Sequence, residues 1–134
     1  MKVQRVPVEW VPRTWPVIAP LVANALHLSR AEYTVEHAQA YAATGQWLVF
    51  VAVEGDVIYG AATVEVFNRP TARVAFVTAM GGRHLMSADV VQQFKQALGT
   101  LGVTQIEGAV RPSMARLLAR YGLTNKYSVV GVTL

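Results

Sequence analysis

The sequence predicts an α/β (mixed α+β) domain in the order β-α-α-β-β-β-α-β-α-β. Its central mixed sheet should combine an antiparallel meander with one parallel pair. Two observations carry this expectation. Three β-prone runs, 46–53, 57–67 and 72–80, are separated only by Glu54-Gly55-Asp56 and Asn68-Arg69-Pro70-Thr71. Turns that short join antiparallel neighbours. The third run is followed by a helix-period stretch at 88–101 and another strand-like run at 103–110. A strand, a helix and a strand in succession place the two strands parallel.

The elements follow in order. Val3, Val6, Val8 and Trp10 sit in a β-prone start, where Pro7 suggests a sheet edge and Pro12 closes the run. Thr14 can cap a helix over 15–28 whose inward face is Val17, Ile18, Leu21, Val22, Ala25 and Leu26. Pro16 suits a first turn, whereas Pro20 lies deeper and should kink the helix. Ser29 and Glu32 have capping-box spacing, and Thr34 is a second cap candidate for a helix over 34–44 that Gly45 ends. Gly81-Gly82 should terminate the third meander strand, since glycine tolerates backbone angles other residues resist. Ser87 then caps the next helix, with Asp89 in its first turn and Val90, Val91, Phe94, Ala97, Leu98 and Leu101 on one buried face. A short helix over 113–121 ends at Gly122, and 126–134 alternates as a last strand.

The 134 residues fit one domain with a real core. Hydrophobic residues at 53% against charged ones at 15% exclude a disordered chain. With no cysteine, disulfides and thiolate metal sites are excluded, and His27, His37 and His84 lack metal-ligand spacing, so no metal is expected. The longest apolar stretch, 15–28, is short and interrupted by Pro16, Pro20, Asn24 and His27, so no membrane span is expected. The opening residues lack the apolar run of a signal peptide, and the cytoplasm is the expected location. The net charge of +4 fits nucleic acid, an anionic small molecule such as a coenzyme, or simple solubility. Only Arg111, Arg116 and Arg120 cluster, and no aromatic-basic stacking motif supports nucleic acid.

The stretch 73–101 organises the rest. A strand entering a glycine loop and then a helix N-terminus can present several backbone N–H groups to one anion. An ordinary strand-to-helix connection has the same sequence pattern.

The element order, element lengths and hairpin positions resemble the GNAT superfamily of acyl-CoA N-acyltransferases along nearly the whole chain. The stretch Val110-Arg111-Pro112-Ser113, followed by a helix with Tyr121 and then Gly122-Leu123, is similar to a second family region, with Met114 where the family often has asparagine. The resemblance implies acetyl-CoA as cosubstrate, a small-molecule or protein amine as acceptor, and a coenzyme site. That site comprises the central strand at 76–80, with Val77 and Ala79, and the loop at 81–87, with Gly81, Gly82, Arg83, His84 and Ser87. The loop departs from the family's pyrophosphate motif, for its glycines precede Arg83 and Leu85 and Met86 follow. The central strand carries no glutamate. A degenerate loop of this kind also resembles small GNAT-like proteins of short-tailed phages.

Transfer to an amine requires a base for the amine proton and an acid for the leaving thiolate. Tyr121 is the acid candidate, and its alternative is a half-buried tyrosine before a helix-ending glycine. Glu107 is the base candidate, and its alternative is a solvated strand face. His84 can assist the base or a phosphate, Arg83 can pair with a phosphate, and Glu65 can face an acceptor amine. Two expectations stand: an acyl-CoA-dependent N-acetyltransferase of unknown acceptor, or a catalytically inactive GNAT-fold module that binds a protein partner or a nucleotide-like ligand.

Overall fold

The computed structural model describes residues 1–28, 32–83 and 85–134. The elements are β1 (Lys2–Val6), a 3-10 turn (Val8–Trp10), α1 (Val11–His27), α2 (Val35–Thr44), β2 (Trp47–Glu54), β3 (Val57–Arg69), β4 (Ala72–Gly82), α3 (Ala88–Gly99), β5 (Gln105–Gly108) and α4 (Pro112–Ala119). The five strands lie in sequence order in one sheet. Every neighbouring pair is antiparallel except β4 and β5, which run parallel from Val74 opposite Gln105 to Val77 opposite Gly108. The meander and the single parallel pair are therefore as the turn lengths and the intervening helix require.

Two cores hold the layers together. On one face α1 and α2 cover Trp47, Val49, Val51, Ala61 and Ala79. On the other, Phe94, Ala97 and Leu98 of α3 pack on Phe50, Ala62, Val64 and Ala75. This alternation along β2 and β3 is the period-2 pattern of a sheet buried on both sides.

Several details differ from the sequence expectations. α1 begins at Val11, not after Thr14, because Val8–Trp10 turns and leads straight into the helix. Pro12 then occupies the first helical turn, where its missing N–H costs nothing. The buried stripe is Val11, Trp15, Ile18, Val22 and Leu26, and Val17 is exposed. The helix continues through both Pro16 and Pro20. α2 starts as expected, with the Thr34 hydroxyl accepting from His37 N and His37 Nδ1 accepting from Thr34 N. Gly45 ends it at φ +80°. The Ser29 cap candidate lies outside the described residues. Tyr33 and Tyr41 pack their rings 4.8 and 4.9 Å from buried Trp47 and fasten α2 to β2.

β4 runs to Gly82, so the Gly81-Gly82 pair ends the strand as expected, with Gly82 at φ +137°. A Cβ at Gly81 would collide with the Leu21 carbonyl of α1, and one at Gly82 with the Tyr59 carbonyl. The pair is there for close approach. The expected last strand at 126–134 does not form, and the chain from 124 onward has no regular structure. Alternating sequence gives β-propensity, but a strand exists only when a neighbour satisfies its backbone. Among the described residues, the segment's one hydrogen bond to the sheet runs from the Tyr127 hydroxyl to Glu107.

Candidate active site

The site is set by where β4 and β5 part. Their pairing stops at Val77 and Gly108, yet β4 continues for Thr78, Ala79, Met80, Gly81 and Gly82. On that side β4 has no strand neighbour among the described residues. A bulge marks the same point. Thr63 pairs with Ala79 and Val64 with Val77, so Thr78 is the extra residue on β4. Its hydroxyl lies 2.7 Å from that of Thr63 and donates to the Thr63 carbonyl at 3.0 Å. Thr63 is fully buried, so this bond satisfies a hydroxyl with no access to water. Bulges raise local twist and end pairing. Here the bulge coincides with the end of the β4–β5 pairing.

Helix α4 is tied across the neighbouring elements. Arg111 Nε donates to the Leu28 carbonyl at the end of α1, at 2.8 Å. Just past α4, the Tyr121 hydroxyl donates to the Met86 carbonyl in the loop between β4 and α3, at 2.8 Å. Lys95 of α3 reaches the Tyr121 carbonyl. The acid candidate is thus held against the loop to which the coenzyme expectation points.

That loop has spent part of its donor capacity. The Arg83 amide donates to the Tyr59 carbonyl and the Ser87 amide to the Leu85 carbonyl. The Ser87 hydroxyl caps Val90 N, as the sequence predicted. The Leu85 side chain fills the space that a Cβ on Gly60 would need. The amides of Ala88 and Asp89, in the first turn of α3, take no partner among the described residues. The Arg83 side chain is exposed. Val77 packs toward α3 and Ala79 toward α1. His84 lies outside the described residues.

Glu107 is 8% exposed and fully engaged. Arg69 donates to both carboxylate oxygens, Nη1 to Oε2 at 2.6 Å and Nη2 to Oε1 at 3.0 Å. Gln105 also donates to Oε2, and the Tyr127 hydroxyl lies 3.5 Å from Oε1. The Arg69 hydrogen bonds lower the Glu107 pKa; burial opposes them without prevailing. Arg69 is raised in turn, first by its hydrogen bond to Glu107. The solvated-face alternative for Glu107 is thus excluded. No hydrogen bond joins Glu107 to Tyr121.

Sequence reasoning missed Arg69, Gln105 and Tyr127. Gln105 and Glu107 share a face by their spacing of two, a signal that was available. Arg69 stands in a hairpin stretch 38 residues from Glu107, and no local pattern links them. Glu65 faces Trp47 across β2 and β3. Its charge is near Tyr33, whose pKa is raised first by burial and then by Glu65 and Glu32.

No protein-family model and no curated protein sequence matches the chain. Solved structures do. An aminoglycoside acetyltransferase, meta-AAC0020, from an uncultured soil metagenomic sample, in complex with sisomicin, superposes with a TM-score of 0.71 at 16% identity, covering 99% of this chain and 95% of that one. The fold is that of the GNAT superfamily. A predicted acetyltransferase with acetyl-CoA from Clostridium acetobutylicum is similar at a TM-score of 0.68 and 10% identity, covering 98% and 95%. The protein TTHA1254 from Thermus thermophilus is similar at 0.63 and 18%, covering 100% and 97%. The meander and the single parallel pair match that fold. Among the described residues no helix is long and apolar enough to cross a membrane, and no three metal-ligating side chains come together.

Proposed function

We propose that the protein is an acyl-CoA-dependent N-acetyltransferase whose turnover is slow. The observation that carries this reading is the open edge of β4 from Thr78 to Gly82, beyond the last β4–β5 pair. An extended, amide-bearing arm adds to such an edge through main-chain hydrogen bonds. A coenzyme A thioester has an arm of that kind. The Ala88 and Asp89 amides and the Arg83 guanidinium are the groups that would hold its phosphates. Arg83→Ala should weaken acetyl-CoA binding about tenfold or more, since losing a charge-assisted hydrogen bond costs about 1.5–3 kcal/mol.

In the reaction the amine nitrogen attacks the thioester carbonyl. A C–N bond forms, the C–S bond breaks, the nitrogen gives up a proton and the thiolate takes one. Tyr121 is assigned the second transfer, after its hydroxyl turns from the Met86 carbonyl. Glu107 is assigned the first. With Arg69 across both its oxygens it is a weak base, which is the reason for expecting slow turnover.

The second reading, a GNAT-fold module without catalysis, is favoured by a different observation. Leu85 occupies the space over Gly60, and the Arg83 and Ser87 amides are already bonded within the protein. Calorimetric titration with acetyl-CoA, then rates on a panel of amines, separates the two. Saturable binding and a measurable rate, reduced in Tyr121→Phe, supports the enzyme. Failure to bind at millimolar acetyl-CoA overturns it and leaves the binding module.

A further inference from the structure

A cleft lies at the end of the sheet away from the groups proposed to hold the coenzyme. Arg5 of β1, Leu48 of β2, Val66 of β3, Arg73 of β4 and Leu101 after α3 line a hollow of about 310 Å³. The strand alternation brings the two arginines there. Val3 and Ala75 face α3, and Arg5 and Arg73 each stand two residues away along the same strands, on the same face. Leu101 places the hollow just past the last turn of α3, whereas the Ala88 and Asp89 amides lie in its first. The helix between them is about 18 Å long, at about 1.5 Å per residue.

The charge of the cleft has one sign. Two guanidinium groups line it and no carboxylate does. Glu9 shares an adjoining hollow with Arg5, yet no ion pair joins them. Arg73 is held in place by its own bonds. Its Nε donates to the Leu101 carbonyl at 2.9 Å and its Nη1 to Asn68 Oδ1 at 3.1 Å, while Nη2 takes no partner among the described residues. The first of these bonds matters for an anion. Carbonyls at a helix C-terminus carry partial negative charge, and a cation there offsets it. Arg5 is exposed and takes no hydrogen bond or ion pair among the described residues. Two like charges facing one hollow repel, and an anion between them turns that repulsion into attraction.

We propose that this cleft binds an organic carboxylate with a compact apolar body. The carboxylate takes the Arg5 guanidinium and the free Nη2 of Arg73, whose planar forks match its two oxygens. The apolar body lies on Leu48, Val66 and Leu101, all half-buried. Those three walls select this class over inorganic phosphate, which would set a hydrated charge against them with nothing to bury. The volume is at the lower end of small-molecule sites, so the body is small. The site stands apart from the acetyl-CoA reading and does not depend on it.

The test is an amide-resolved NMR titration of the full chain with phenylpropionate. The amides of Arg5, Gln46, Leu48 and Leu101 should shift together and saturate with a dissociation constant of about millimolar, as expected of a ligand of this size. Acetate, inorganic phosphate and the uncharged phenylpropionamide should each bind more weakly. Arg5→Gln should raise the phenylpropionate dissociation constant about tenfold or more. Arg5 bonds to nothing in the fold, so the variant should keep the wild-type spectrum elsewhere. Phosphate or acetate binding as tightly as phenylpropionate overturns the proposal, since the apolar walls then contribute nothing. Phenylpropionamide binding as tightly overturns it as well, since the arginines then contribute nothing. Unchanged affinity in Arg5→Gln, shifts confined to Ala88 and Asp89, or no saturable shift would each overturn it too.

Discussion

Thr63 and Thr78 hold the β3–β4 bulge at the point where the β4–β5 pairing ends. Thr63 has no exposure, and the Thr78 hydroxyl is the partner of its own. Thr78→Val strands that buried hydroxyl and should destabilise the fold by about 1–3 kcal/mol. Thr63→Val/Thr78→Val removes both hydroxyls and should cost less than Thr78→Val alone, as chemical denaturation would measure. Glu107 gives a second expectation at this scale. Its pKa is lowered in the folded protein, first by the Arg69 hydrogen bonds. Stability from a carboxyl lowered on folding is complete above its unfolded value, about 4.3 for glutamate, and is lost as pH falls toward the folded value. Wild type should therefore be more stable than Glu107→Gln at neutral pH, with the difference shrinking below about pH 4. A constant gap across that window would show that the ion pair contributes nothing. Glu107 was legible in the sequence as an acid on a strand beside the cleft. Its partner was not, because Arg69 reaches it only once β3, β4 and β5 lie side by side.

At the scale of elements, the Gly81-Gly82 pair matters most. The sequence marks it as a place where the backbone is unusual, and the expected role was a strand-ending turn. In the fold the pair does end β4, and the need at Gly81 is also for space, since α1 runs its Leu21 carbonyl against the strand there. The obstacle is backbone, so no rotamer change relieves it. Gly81→Ala should push α1 off β4 and cost about 1–3 kcal/mol by thermal or chemical unfolding. Had the pair served only the turn, Gly81→Ala would be near neutral. Local chemistry made most element ends readable. The Glu54-Gly55-Asp56 hairpin, the Thr34 cap, the Gly45 stop and the Ser87 cap each satisfy backbone groups within a few residues. The segment 126–134 was misread for the complementary reason. A strand's partner is chosen at long range, and alternation is silent about which edge, if any, it joins.

At the scale of the molecule, rate follows from what the fold provides and what the residues do not. Holding a thioester beside an amine gives acceleration by proximity alone. Well-placed proton transfer typically adds about 10²–10⁴-fold. With Glu107 clamped by Arg69, most of that factor should be missing. Glu107→Gln should then lower kcat only a few-fold, the share a weak base contributes, whereas Tyr121→Phe should lower it more. A large loss in Glu107→Gln, with KM unchanged, would show that the carboxylate is a strong base in spite of its partner and that turnover is not slow on its account. The aromatic seam between α2 and β2 has a consequence of another sort. Trp47 is buried with the Tyr33 and Tyr41 rings within 5 Å of its own. At that separation an excited tyrosine passes its energy to the indole before it can emit, so while α2 is seated these two phenols are dark. If α2 lifts from the sheet as a local opening unit, the tyrosine emission should return while Trp15, on the buried face of α1, keeps its own signal. The helix beside the β3 carboxylate thus reports its own departure by light, with no label added.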